Sequence, residues 1–181
     1  LIVDFLRKYA PGYENCYIIG SASLIGIRET RHFKGKNSLS KDDILAARFY
    51  PDWVVRRAWF NFDVHNLSGA GLDKTGVQKH FKQKKGYTIP YRCLIPEIKE
   101  NLLLCGRNIS GTHMAHSNFR VMPICVGIGE AAGAAAFIAS SQNIPLNDID
   151  ASQIRNIIGI FDADSATVSA ITKKYLFHRK F

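Results

Sequence analysis

The strongest constraint on what this chain can fold into is the run NLLLCGRNISGTHMAHSNFRVMPICVGIGEAAGAAAFIASS, residues 101–141. It opens on an apolar stretch, 102–105, whose length fits a buried parallel strand closed by Gly106. A loop dense in hydrogen-bond donors follows, carrying Arg107, Asn108, Ser110, Thr112, His113, His116, Asn118 and Arg120. Pro123 stands where a first helical position belongs, and the chain then runs without proline until Asn143 and Pro145 supply a stop. The order predicts strand, donor-rich loop, helix.

That order has a consequence at the start of the helix. Its free N–H groups and the positive end of its dipole face the loop, a setting suited to an anion or an electron-rich oxygen. The helix also carries Gly127, Gly129 and Gly133 among alanines. Each glycine costs roughly 1 kcal/mol of helix stability relative to alanine, so three of them point to close packing. Packing of helix on sheet accounts for them as well as a ligand does.

Five segments then bear on one another: IGIRETRHFKG (25–35), FNFDVH (60–65), YTIPYRCLIP (87–96), NLLLCGRNIS (101–110) and HMAHSNFRVMPICVGIGEAAGAAA (113–136). Together, and in this order, they resemble the C-terminal part of the FAD-dependent oxidoreductase family, within the two-dinucleotide-binding-domain flavoproteins. The resemblance spans most of residues 10–141. It implies FAD as cofactor and a small-molecule substrate. It implies an α/β fold (an α+β mix): the strand-loop-helix unit belongs to a Rossmann-like FAD domain, beside part of a substrate domain with a mixed sheet. By the same resemblance Gly106 and Arg107 lie beside the FAD, and Arg120, Val121, Met122 and Ile124 approach the isoalloxazine. The adenine-side half of the FAD domain is expected upstream of Leu1.

The domain boundaries read from this are 1–98, a substrate-side part with connecting segments; 99–145, the C-terminal part of the FAD-binding domain; and 146–181, a C-terminal helix and tail. Leu1 is the first residue and Met114 and Met122 are the only methionines, so the chain is read as a fragment, inactive by itself.

Composition is that of a globular protein, 46% hydrophobic and 22% charged. No signal peptide is evident, and the best membrane-helix candidate, 121–139, has Glu130 at its centre. Cys16, Cys93, Cys105 and Cys125 are scattered, without a C-x-x-C pair. They read as reduced thiols in a cytoplasmic protein rather than as a metal site. The net charge of +9 raises nucleic acid as a partner. Much of it sits in Lys79, Lys82, Lys84 and Lys85 and in Lys173, Lys174, Arg179 and Lys180, however, so neither nucleic-acid nor membrane binding is expected.

Other stretches add candidates in chain order. Residues 1–9 have helical spacing and stop before Pro11-Gly12, and 16–27 is strand-like by composition. Arg28 follows, placed to bind an acidic substrate group or to pair with Glu29 or Arg31. Ser40 and Asp43 outline a helix cap, and 53–65 reads as strand ending in Asp63 and His65, an Asp-x-His whose side chains share a face. The carboxylate would orient the imidazole there. Residues 71–78 mimic a phosphate loop, but Val77 and Gln78 stand where Lys and Ser/Thr are required. Gly127-Ile-Gly129-Glu-Ala-Ala132 matches a dinucleotide fingerprint, yet Pro123 would break the strand that must precede it. Asp150 and Gln153 suggest a cap for an amphipathic helix ending at Ile158.

The resulting expectation is hydride transfer between flavin and a small, carboxylate-bearing substrate. His116 and His65 are the acid/base candidates, while Arg120, Arg92 and Arg28 are the carboxylate clamps. A non-catalytic binding or assembly module with a basic face is the alternative.

Overall fold

The computed structural model describes residues 1–64 and 85–159. In chain order the elements are helix α1 (Ile2–Tyr9), helix α2 (Lys41–Leu45), strand β1 (Trp53–Ala58), strand β2 (Tyr87–Pro90), helix α3 (His113–Phe119), helix α4 (Met122–Gln142) and helix α5 (Ala151–Ile158). Short 3-10 turns form at Tyr91–Cys93, Gly106–Asn108 and Leu146–Asp148. The class is the expected mix of helix and sheet.

β1 and β2 pair antiparallel, with Trp53 opposite Pro90, Val55 opposite Ile89 and Ala58 opposite Tyr87. The register slips between these pairs, and Arg57 takes a left-handed φ of 58° in the second irregularity. Glycine at 86 is required beside it, because a Cβ there would stand 2.5 Å from the Arg57 Cα.

α4 lies against β1, and α5 packs on α4. The stripe Ile124, Ile128, Ala131, Ala135 and Ile138 recurs at three and four residues and is buried in the core. Fully burying an Ile, Leu or Phe side chain is worth about 1.5–3 kcal/mol, so this stripe, with Leu39, Ile44, Phe62, Tyr87 and Phe119, dominates the core. Arg155 of α5 locks the layers by donating to the Trp53 carbonyl at 2.9 Å while its guanidinium stacks over the Trp53 ring. By length and composition alone α4 would cross a membrane; here one of its faces belongs to the core.

Local signals in the sequence act as read. Ser40 and Asp43 form a reciprocal capping box on α2. Asn143 ends α4 in the left-handed region, at φ 52°, and the Asp150 side chain caps α5 by accepting from Ser152 N at 2.8 Å. The G-x-G-x-x-A match falls inside α4, where no phosphate-binding turn forms.

Three expectations need correction. Residues 102–105 are extended but are no buried strand: Leu102 and Cys105 are exposed, and the segment is tied to its neighbour by Leu104 N donating to Leu94 O at 2.8 Å. Residues 16–27 likewise form no strand, and Tyr17, Ile18, Ile19, Leu24 and Ile25 lie exposed. The cause is common to both, since β-propensity is realised only against a neighbouring ladder. Among the described residues the one sheet is antiparallel and two-stranded. Finally, the donor-rich loop is part helix: Thr112 caps α3 by accepting from Ala115 N.

Candidate active site

The site is assembled by two segments far apart in sequence, 27–32 and the turn-plus-helix from Gly106 to Arg120. The Arg107 guanidinium donates to the Ile27 carbonyl and draws the first segment against the second. His32 donates from Nδ1 to the Gly111 carbonyl at 2.9 Å, a second tie. Glycine at 111 is needed because a Cβ there would meet the Phe119 ring at 2.6 Å.

Between these ties Glu29 becomes the hub. Its Oε1 accepts from His113 Nδ1 at 2.8 Å and from His32 Nε2, while its Oε2 lies 3.5 Å from His116 Nδ1. His32 faces an oxygen acceptor at each ring nitrogen, the Gly111 carbonyl and the Glu29 carboxylate. Burial pushes the Glu29 carboxyl upward, but the hydrogen bonds from His113 and His32 and the charges of His116 and His113 outweigh it and hold it below its ordinary value. His116, 3% exposed, behaves oppositely. Burial lowers it to about 4; Glu29 opposes that shift, and the positive neighbours His32, Arg120 and His113 reinforce it. Its Nδ1 has no hydrogen-bond partner among the described residues, so a buried polar atom is left available.

A cavity of about 120 Å³ opens at this cluster, lined by Arg28, Glu29, Arg31, His32, Arg107 and His116 among others. Beside it stands a second charged group. Arg120 donates to the Asp63 carbonyl oxygen at 2.7 Å and to its carboxylate at 3.1 Å, and Arg28 approaches the same carboxylate at 3.8 Å. Arg28 is thus drawn toward the Asp63 carboxylate as well as lining the cavity.

The ring-facing candidates sit around the start of α4. Gly106 has a φ of 63° and nothing within 4 Å of where a Cβ would point. Val121 is the N-cap and offers no side-chain cap to the first-turn amides; Met122 is exposed and Pro123 occupies the first turn. Ile124 turns its side chain into the core, leaving its backbone N–H at the helix tip. Arg92 lies elsewhere: its guanidinium forms a two-point bond with Asp52, at 2.9 and 3.3 Å, just past the Trp53–Pro90 end of the β1–β2 pair. His65, and the phosphate-loop mimic at 71–78, lie outside the described residues.

Of the candidates read from the sequence, the structure brings His116, Arg107 and Arg28 to this cavity; Glu29 and His32, which stand there too, were not among those candidates. The available signal was the packing of Arg28, Glu29, Arg31 and His32 into five positions directly after an apolar run.

A helix start without a side-chain cap, a left-handed glycine and a cluster of titratable side chains make a setting that suits an electron-rich ligand. The profile of the FAD dependent oxidoreductase family matches residues 1–158; the chain belongs to that family, and FAD is its cofactor. No curated protein and no solved structure matches it.

The residues present fit the group. The amides at the start of α4 receive no side-chain hydrogen bond from the N-cap Val121, and the left-handed Gly106 permits close approach of a flat ring to the backbone. A helix N-terminus favours the electron-rich edge that flavin presents when reduced.

Proposed function

We propose that this chain forms the substrate side and the ring-facing edge of a flavoenzyme that transfers hydride between FAD and a small substrate bearing a carboxylate. The observation that carries this reading is the junction of the Glu29–histidine cluster with the α4 tip. Arg107 lines the cavity at the cluster, and its own turn packs on α4.

Bound FAD supplies the acceptor for a hydride. The chain's residues do the rest. Arg28 and Arg31, which line the cavity, attract and orient a carboxylate. His116, held neutral by burial, offers a hydrogen bond to an O–H or N–H of the substrate without adding a charge to the cavity. Gly106, Val121 and the amides of Met122 and Ile124 border the ring, and Arg120, one residue before Val121, adds positive charge on that side. Arg92 has a structural part here, held by Asp52.

The partner in this reading is a Rossmann-like, adenine-side FAD unit. Exposed Met122, Val126 and Phe137 on α4, with the unladdered run at 102–105, form the surface such a unit would cover. The free thiols of Cys16, Cys93, Cys105 and Cys125 accord with a cytoplasmic location.

The test is made on the protein carrying its complete FAD domain. It should purify yellow, release FAD on denaturation, and lose visible flavin absorbance anaerobically with some member of a panel of small hydroxy and amino acids. A colourless protein that neither binds FAD nor accepts electrons would return the reading to a non-catalytic module.

A further inference from the structure

The cluster contains a chemical asymmetry that the preceding reading does not use. His116 is buried, whereas the His113 side chain is more than half exposed. Yet both rings look toward the same carboxylate. Against His113 that carboxylate is in full hydrogen-bond contact at 2.8 Å; against His116 it stands off at 3.5 Å. A carboxylate oxygen only accepts, so the His113 nitrogen facing it, Nδ1, carries the hydrogen. In the neutral ring the opposite nitrogen, Nε2, then carries the lone pair.

We propose that Glu29 is a positioning residue which fixes the tautomer and orientation of His113, making Nε2 of His113 the proton acceptor during substrate oxidation. This rests on the flavin-dependent reading above and assigns a part of the reaction that it leaves open. In the step, the substrate C–H bond breaks and its hydrogen leaves with the electron pair to FAD. The neighbouring O–H or N–H bond breaks, its proton passes to Nε2 of His113, and a C=O or C=N bond forms. The substrate loses two electrons and two hydrogens, and Glu29 stays ionised, opposite the imidazolium that forms.

Three features of the cluster suit this division. His113 is reachable from solvent, so the proton it collects can be discharged between turnovers. His116 is poorly placed for the same task, since a proton on its buried ring would face His32 and Arg120 with little water. His32, set between Gly111 O and Glu29, holds the carboxylate from its other side and stops it swinging away from His113.

The test is a tautomer measurement on the intact flavoprotein, needing neither substrate nor turnover. Histidine ring nitrogens labelled with 15N are recorded at alkaline pH, where imidazoles are neutral, and His113 is assigned by comparison with His113→Gln. The expected signature is a protonated Nδ1 and a bare Nε2 in the wild type, reverting toward the Nε2–H form that free histidine prefers in Glu29→Gln. Glu29→Asp should retain part of it. His113 in the Nε2–H form in the wild type overturns the assignment, as does a Glu29→Gln spectrum identical to wild type; should His113→Gln fail to fold, His113→Asn supplies the comparison. With whichever panel compound bleaches the flavin, His113→Gln should slow bleaching at saturating compound by about 10²-fold, and adding Glu29→Gln should cost little more. Bleaching that proceeds at wild-type rate in both variants removes His113 from the reaction while leaving the flavoenzyme reading standing; absence of flavin altogether removes that reading, and the tautomer result still decides the role of Glu29.

Discussion

The Arg120 guanidinium holds Asp63 at two points, the backbone carbonyl at 2.7 Å and the carboxylate at 3.1 Å. Arg120 is the C-cap of α3 and precedes the N-cap of α4 by one position. This contact therefore ties the segment after β1 to the helix tip, and part of the arginine's charge is answered by the carboxylate before any cofactor arrives.

Arg120→Ala removes that tie and leaves Asp63 with Arg28, at 3.8 Å. Hydrogen bonds to charged groups contribute about 1.5–3 kcal/mol each. Asp63 is one-third exposed, so water recovers some of the loss and the lower end of that range is expected, read as a fall in the urea midpoint at unchanged m-value. In the complete flavoprotein the reduction potential of FAD should also fall, because positive charge near the ring favours the reduced form. Arg120→Lys should preserve most of the potential while losing the two-point contact. If Arg120→Ala leaves the potential where it was, the guanidinium does not act on the ring.

Stability should depend on pH through His116. Burial, reinforced by the charges of His32, Arg120 and His113 against the opposing Glu29, brings its folded pKa down to about 4 from the ordinary 6.5. The unfolded chain therefore takes up this proton first as pH drops. The stabilisation is complete above pH 6.5 and is lost progressively as the pH falls toward 4, at up to about 1.4 kcal/mol per pH unit. Glu29, with its lowered value, acts in the same direction further down: its contribution is present above its unfolded 4.5 and lost as pH falls through the folded value. Urea titrations across this range should show a shallower slope for His116→Gln than for wild type. Parallel slopes would mean that the ring takes up its proton equally in both states.

The α2 cap separates two contributions. Asp43 accepts from Ser40 N at 2.8 Å and Ser40 Oγ at 2.7 Å, and it pairs with Arg48 at 2.9 Å. Burial pushes its carboxyl up, but the Ser40 bonds and the Arg48 charge win and hold it below the usual range. Ser40→Ala removes one capping acceptor and should cost about 1 kcal/mol. Asp43→Ala strips the backbone N–H of Ser40 and the Arg48 head group of their acceptor together, so it should cost more, by denaturant unfolding. Equal costs would show that the reciprocal half of the box adds nothing.

What could be read in the sequence follows the range of the interaction that sets it. The Ser40 cap, the Asn143 stop and the span of α4 rest on contacts within a few residues, and each was legible. The strands expected at 16–27 and 102–105 depend on a neighbour that composition does not reveal, and neither forms. Among the candidate site residues, the crowding of donors before Pro123 drew attention to His116 and Arg120. Glu29 was not legible, because its role comes from meeting His113 across 84 positions, an encounter arranged by the ties of Arg107 to Ile27 and His32 to Gly111. Arg92 drew notice for its charge, but Asp52, 40 positions away, engages it.

The glycines of α4 offer a test of what lies beyond the described surface. Gly127 faces Val55 of β1, where a Cβ would sit at an ordinary 3.6 Å, whereas Gly129 and Gly133 have nothing within 4 Å. In the 181-residue chain, Gly129→Ala should therefore stabilise α4 by about 0.8–1 kcal/mol, the helix-propensity difference, seen as a higher unfolding midpoint. If an adenine-side FAD unit packs on this face, with Met122, Val126 and Phe137 around it, the added methyl separates two backbones in close contact. The same substitution should then destabilise the complete flavoprotein by about 1–3 kcal/mol and weaken FAD retention. The sign change between the two contexts is the diagnostic. Stabilisation by a similar amount in both would show that this face of α4 meets solvent in the complete protein, and that the glycines serve no packing partner.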